Sequence, residues 1–283
     1  MSRLRRHPHR KDGDVGGAQR RARKQKQKQT QAAKAVAAAR GTSNDRAKII
    51  VGIIVVVVLA GAVIGGVLYQ KNKATQRAEA TIAPQHVAAV NYPVKVDNGT
   101  VLAGKDDAKI TVDLYEDFLC PVCGQFEKRD GDKIQQQLNG GAIKLRYHIV
   151  DLLNERSNPP GYSQAAGNAA LCAADGGKFP DYHLSLYDAQ PQEGSRGYDN
   201  VQLAGLGKSL GLGDPFTTCV NSGKYSGQVQ QQYDAASSNP ALQQDTGSGG
   251  KAFGTPTVAV NGKTVNWSDP NWLDNLVKTG ATG

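Results

Sequence analysis

Three kinds of hydrophobic pattern follow one another along this chain. The first is unbroken: Ile49 to Tyr69 reads IIVGIIVVVVLAGAVIGGVLY, without a charged or amide side chain. A helix of this length spans about 30 Å, the thickness of a bilayer core. Its β-branched residues would suit a strand in water. No strand of this length fits a globular core, however, and lipid imposes a helix because every backbone group must be satisfied within the segment. The second pattern is period-two alternation in short runs. YPVKV and GTVLAG flank Asp97-Asn98-Gly99 and predict a hairpin, and KITVDLYED (109–117) and AIKLRYHIV (142–150) predict two further strands. The third is helical spacing over 125–138, which Asn139-Gly140-Gly141 ends. Strand, helix and strand in this order predict a parallel pair with a helical crossover.

Helical spacing then dominates about 162–236. Ser163 is a predicted N-cap there. Asp214-Pro215 predicts a cap followed by proline in the first helical position, with Cys219 in the helix it opens. The last segment, GTPTVAVNGKTVNW, predicts a second hairpin around Asn261-Gly262. Asp269 and Pro270 predict the cap and first position of a closing helix. The expected class is therefore α/β with an inserted helical subdomain. It is preceded by a tail (1–48), a transmembrane helix (49–69) and a linker (70–91), and the folded domain occupies 92–283.

Charge changes this picture in one respect. The chain has 283 residues and a formal net charge of +9, which by itself suggests a nucleic-acid partner. Residues 1–48 alone carry 15 Lys/Arg against 3 Asp/Glu, and the remainder carries 19 against 22. The excess is thus confined to a low-complexity, aromatic-poor tail that is expected to be disordered. No nucleic-acid partner is expected for the domain. Basic residues stay on the cytoplasmic side, so the tail is cytoplasmic and the C-terminal part is exported from a single-pass anchor in the cell membrane. The apolar run exceeds that of an ordinary signal peptide, which favours an uncleaved anchor.

All four cysteines (Cys120, Cys123, Cys172 and Cys219) follow the anchor, in a compartment that permits disulfides. Cys120 and Cys123 close the KITVDLYED strand as Cys-Pro-Val-Cys. With Pro121 in the first helical position, Cys120 meets free N–H groups and the positive end of the helix dipole, which favour its thiolate. Cys123 lies three residues on, over the same face, at a spacing that allows a disulfide. Far along the chain, Pro256 stands inside a strand pattern, where it removes a ladder donor. A cis Thr255–Pro256 bond explains its placement. The alternative is an edge-strand proline.

DFLCPVC, AALCAADGGKFPDYHLSLY, LGLGDPFTTC and FGTPTVAVNG together resemble the DsbA-like thiol:disulfide oxidoreductases of the thioredoxin superfamily, and among them the membrane-anchored actinobacterial forms. The resemblance covers about residues 92–283. It implies a thioredoxin fold with a helical insert, Cys120 as nucleophile, Cys123 as resolving thiol, Pro256 as the cis proline and Thr255 as the residue that tunes the pair. It also implies a structural disulfide between Cys172 and Cys219, worth about 4 kcal/mol for a loop of this length in the chain-entropy model. The substrates would be exported proteins with cysteines, and the redox partner a quinone-linked membrane oxidase. No cofactor is expected. Two positions depart from the pattern. Leu114 stands six residues before Cys120, where many relatives have an acid, so the acid stays open among Asp113, Glu116 and Asp117. Val122 stands where strongly oxidising relatives often have histidine.

The expected activity is therefore the introduction of disulfides, with isomerisation or reduction as the alternative direction. A non-enzymatic alternative is a copper or zinc carrier using the cysteine pair and a histidine. The chain has no second Cys-x-x-Cys and no histidine at short ligand spacing from the pair. His148 and His183 are expected to be structural, and no metal site is expected.

Overall fold

The computed structural model describes residues 80–246 and 249–280, together with Gly66. The expected tail (1–48), the expected membrane span (49–69) apart from Gly66, and residues 70–79 of the expected linker lie outside the described residues. Among the described residues no helix is long and apolar enough to cross a membrane.

A six-stranded sheet forms the framework. Its strands are β1 (Val94–Asp97), β2 (Thr100–Ala103), β3 (Ile110–Glu116), β4 (Ile143–Ile149), β7 (Thr257–Val260) and β8 (Lys263–Thr264), in the spatial order β1-β2-β4-β3-β7-β8. A two-stranded ribbon, β5 (Gln244–Asp245) with β6 (Lys251–Ala252), stands apart. β3 and β4 are parallel, with Leu114 opposite Tyr147 and Glu116 opposite Ile149. The crossover between them is α1 (Pro121–Gly140). β7 runs antiparallel to β3 and brings Thr257 opposite Tyr115. Both hairpins turn on Asn-Gly, with positive φ at Asn98 and Gly99 and at Asn261 and Gly262, the backbone a two-residue type I′ turn requires.

Strict alternation of buried and half-buried residues in β3 and β4 divides the sheet into two faces. On the face toward α1, Leu114 and Ile149 are fully buried and pack with Phe126, Ile134 and Leu138 of the helix. The inward stripe of α1 is Cys123, Phe126, Asp130, Ile134 and Leu138, at spacings of three and four. Gly141 closes the helix at φ 77, a left-handed conformation that favours glycine.

Five helices lie between β4 and β7: α2 (Tyr162–Asp175), α3 (Phe179–Asp188), α4 (Asn200–Ser209), α5 (Asp214–Ser222) and α6 (Ser226–Ser238). A disulfide joins Cys172 of α2 to Cys219 of α5, with Cα atoms 5.9 Å apart. Beside it, the buried Asn168 side chain donates to Val220 O and accepts from Tyr225 N, tying α2 to the corner between α5 and α6. The closing helix is α7 (Trp272–Thr279).

The helix starts differ from their predicted caps. Ser163 lies inside α2, whose cap is Gly161; its hydroxyl is drawn inward to Asp117 instead. Asp214 is the first residue of α5, after a Gly213 cap. Asp269 precedes the α7 cap, Asn271, and its carboxylate accepts from the Asn271 N–H in a local turn. α1 begins at Pro121, four residues before the apolar spacing becomes regular. Residues 80–91, read from composition as the end of a linker, form a strap laid along the domain. The Val87 N–H donates to Asp181 of α3, and Gln135 of α1 donates to Ala89 O. Ile82 is buried within the strap.

Candidate active site

Strand β3 ends at Glu116, and a short turn through Asp117, Phe118 and Leu119 carries the chain to Cys120, the N-cap of α1. Cys120 has extended backbone, φ −72 and ψ 115, and Pro121 follows without an N–H to satisfy. The N–H groups of Val122 and Cys123 are left facing the Cys120 sulfur. Both cysteines are unbonded thiols here. The Cys120 Sγ lies 3.3 Å from the Thr255 carbonyl oxygen, to which it donates. The Thr255–Pro256 peptide is cis, and Thr257, the next residue, is the first of β7.

The two thiols differ in environment. A hydrogen bond from the Cys123 thiol, then the Thr255 side chain and the helix N–H groups, bring Cys120 down to about 6 against the opposing effect of burial. Burial pushes Cys123 well up, and donation to Cys120 adds to this. Cys123 has no exposed surface.

The alternation of β3 resolves which acid faces the pair. Asp113 points to the opposite face, where it meets Arg146 and His148. Glu116 and Asp117 are both fully buried, and burial pushes Glu116 up to about 8 and Asp117 up to about 7. Their partners differ. Asp117 accepts from Leu119 N, Leu153 N and the Ser163 hydroxyl, each at 2.7 Å. It is a clamp that ties the active-site turn to the loop after β4 and to α2. Glu116 meets the side chains of His183, Glu127 and Tyr187, and its Oε1 has no fixed protein donor. Leu114 is packed in the core, so the acid sits two residues nearer to Cys120 than in the expected pattern.

Four further residues complete the site. Gln190 Nε2 donates to Phe118 O at 3.0 Å and to Cys120 O at 2.9 Å, fastening the turn from the side. Gly124 makes room for it: a Cβ there would stand 2.4 Å from Gln190 Oε1. Glu127 and His183 line the inner side of Glu116. Glu127 follows Cys123 by one helical turn on α1, which is the signal that would have placed it beside the pair. No sequence pattern joins Glu116 to His183 or Cys120 to Gln190, since 67 and 70 residues separate them.

The histidines weighed as metal ligands with the cysteines are engaged elsewhere. His148 meets Asp113 and Gln232, and His183 meets Glu116. Among the described residues, Glu116, Glu127 and His183 come close enough together to hold an ion. The imidazole, however, turns Nε2 to Glu116 at 3.1 Å and Nδ1 toward Glu127 at 3.9 Å. Opposite nitrogens of one ring do not converge on one ion.

The family model described as thioredoxin matches residues 96–279. A solved structure of Mycobacterium tuberculosis DsbA is 32% identical, with a TM-score of 0.53, over 66% of this chain and 91% of that one. The chain belongs to the DsbA-like thioredoxin family. It is also similar to disulfide bond formation protein D of Bacillus subtilis, with 27% identity over 64% of this chain and 76% of that protein. The serine/threonine-protein kinase PknE of M. tuberculosis is 30% identical over 65% of this chain. The match covers only 32% of the kinase, so the chain spans about a third of the length of the curated relatives it matches first. Membership accounts for the fold, with its parallel β3–α1–β4 unit and helices inserted before β7.

Proposed function

We propose that this chain is an extracytoplasmic thiol:disulfide oxidoreductase, tethered by residues 49–69, that introduces disulfides into exported proteins through Cys120 and Cys123. The observation that carries the reading is the pairing of unlike thiols. Cys120 is held near 6 at a helix N-terminus beside the Thr255 carbonyl, and Cys123, one turn on, is wholly buried and held high. The first is a good nucleophile and leaving group near neutral pH, and the second is kept for the resolving step.

In the oxidising direction a substrate thiolate attacks the Cys120 sulfur of the Cys120–Cys123 disulfide. The Cys120–Cys123 bond breaks, a Cys120–substrate bond forms, and Cys123 leaves with the electron pair and takes up a proton. Glu116 is the acid assigned to supply it, because Asp117 is fully engaged by three donors and Glu116 is not. A second substrate thiolate then attacks the substrate sulfur of the mixed disulfide and expels Cys120 as thiolate. The substrate has lost two electrons and the pair has gained them. Thr255, whose carbonyl touches the Cys120 sulfur, and Pro256 are assigned to aligning the substrate chain. A thiolate stabilised at Cys120 favours the dithiol form, which makes the disulfide form oxidising. A quinone-linked membrane oxidase is the proposed acceptor of the electrons. The Cys172–Cys219 disulfide, away from this chemistry in α2 and α5, is assigned a structural role.

A redox titration of the chain against glutathione tests the direction. An oxidising equilibrium that Cys120→Ser abolishes is expected, whereas a potential as low as that of thioredoxin, about −270 mV, would make the chain a reductase. Mixed disulfides trapped with Cys123→Ala would identify the substrates.

A further inference from the structure

Cys123 and Glu116 have no exposed surface. A proton exchanged between them must cross protein to reach water. The front of the site, where Cys120 meets Thr255, is the surface a substrate polypeptide would cover during the reaction. The inner side of Glu116 leads elsewhere. His183 stands there between two carboxylates, one on each ring nitrogen. Glu116 and Glu127 also hydrogen-bond each other, so a shared proton holds the two carboxyls together.

Beyond this cluster lies a cavity of about 500 Å³, bounded by the strap, α1 and α3. Glu127 and His183 both line it, and Cys120, Cys123, Thr255 and Pro256 do not. The Glu127 side chain is 13% exposed, against 0% for Glu116. Glu116 and Glu127 each keep a buried Oε1 without a fixed donor, so the proton the two carboxyls share is a titratable one.

We propose that Glu116, His183 and Glu127 form a proton path from Cys123 to this rear cavity, so that the resolving cysteine exchanges its proton with solvent behind α1 while a substrate covers Cys120 in front. The inference rests on Cys120 and Cys123 being the working pair. When the disulfide opens, the Glu116 carboxyl gives its proton to the departing Cys123 sulfur and becomes a carboxylate. His183 Nε2–H then returns a proton to Glu116, and His183 Nδ1 takes one from the cavity side through Glu127, so the ring ends neutral. Closing the disulfide runs the same transfers backwards. The 3.9 Å between Nδ1 and Glu127 Oε2 is the span at which one water or a small rotation of Glu127 completes the link. Burial holds the imidazole below its ordinary value, so it is neutral at rest, with one nitrogen free to accept.

The test uses the full chain, oxidised, in single-turnover reduction by a cysteine-containing peptide. His183→Ala opens space beside a cavity that admits small molecules. It is expected to slow disulfide opening by about 100-fold, the lower end of what one positioned proton-transfer group contributes. Added imidazole is expected to restore the rate, while thiazole, of like shape and far weaker basicity, is not. His183→Gln serves if the alanine variant fails to fold, with the same loss expected. Cys120 thiolate titration should stay at its wild-type midpoint in either variant. Opening within about twofold of wild type, or equal restoration by thiazole, would overturn the path while leaving the dithiol reading intact. A wild-type chain inert to the peptide would sink both.

Discussion

Glu116 and Asp117 are neighbours in sequence and equally buried, yet Asp117 accepts three hydrogen bonds from fixed donors and Glu116 keeps one oxygen unpaired. The contrast separates two roles that their composition cannot. Asp117→Asn replaces an acceptor with an amide donor that faces other donors, and should cost about 2–3 kcal/mol of stability. Glu116→Gln keeps shape and removes charge. It should leave stability near wild type at about pH 4.5, raise it at neutral pH, where an ionised Glu116 favours the unfolded chain, and slow the Cys123-dependent step by about 100-fold. Chemical denaturation alongside single-turnover kinetics would separate the two. Equal kinetic loss in both variants would reverse the assignment.

Glu116 also sets a dependence of stability on pH. Its folded pKa, about 8, lies above its ordinary value of 4.5. In this window the native state holds a proton that the unfolded state has released, so stability falls as pH rises. The contribution is complete below about pH 4.5 and is lost as pH passes 8. Asp117 acts in the same sense up to about 7. Cys120 opposes them: its folded value, about 6, lies below 9, so its contribution is present above about pH 9 and is lost as pH falls through 6. The reduced chain should therefore lose stability between pH 5 and 6, where the buried carboxyls outweigh His183, whose lowered value acts in the opposite sense; it should go on losing it up to about 7 and level off between 7 and 8. Glu116→Gln should make that early slope shallower, measured by denaturant titration.

Much of this was legible from the amino-acid sequence, and the limit has a physical cause. β3, α1 and β4 announce themselves because alternation and helical spacing are local, and Pro121 marks the helix start at the cysteines. The meeting of Cys120 with Thr255 spans 135 residues and was reached through the oddity of a proline in a strand. His183, Gln190 and Ser163 carry no such mark. A histidine in an amphipathic helix, a glutamine after one and a serine near a helix start are ordinary in each place, and only tertiary packing gives them partners. Ser163 misled for a definite reason. A buried Asp117 competes for its hydroxyl more strongly than the free N–H groups of α2 do, and a Gly161 cap leaves it free to answer.

The disulfide between α2 and α5 should be separable from the redox site. Cys172 and Cys219 are buried among apolar residues of the insert. Replacing both with alanine should cost about 4 kcal/mol by the loop-closure account. The Cys120 thiolate should still appear near pH 6, read from ultraviolet absorbance across a pH series. A shift of that midpoint toward 9 would mean that the insert helps hold the cysteine turn in place.

Gly124 and Gln190 form a pair whose coupling can be measured. Alanine is ordinarily better than glycine inside a helix by about 1 kcal/mol. At position 124 its Cβ would press within 2.4 Å of Gln190 Oε1 and push away the amide that holds Phe118 O and Cys120 O. Gly124→Ala alone should therefore destabilise, because Phe118 O loses the Gln190 donor, at about 1–3 kcal/mol, while Cys120 O keeps the backbone N–H of residue 124. Gln190→Ala alone should cost a similar amount, and with the amide already gone the helix preference is free to act. Gly124→Ala introduced into Gln190→Ala should then stabilise by about 0.5–1 kcal/mol. The sign of the substitution reverses with its neighbour, and a double-mutant cycle in urea reads that reversal directly. If Gly124→Ala destabilises equally in both backgrounds, the glycine is required by something other than Gln190.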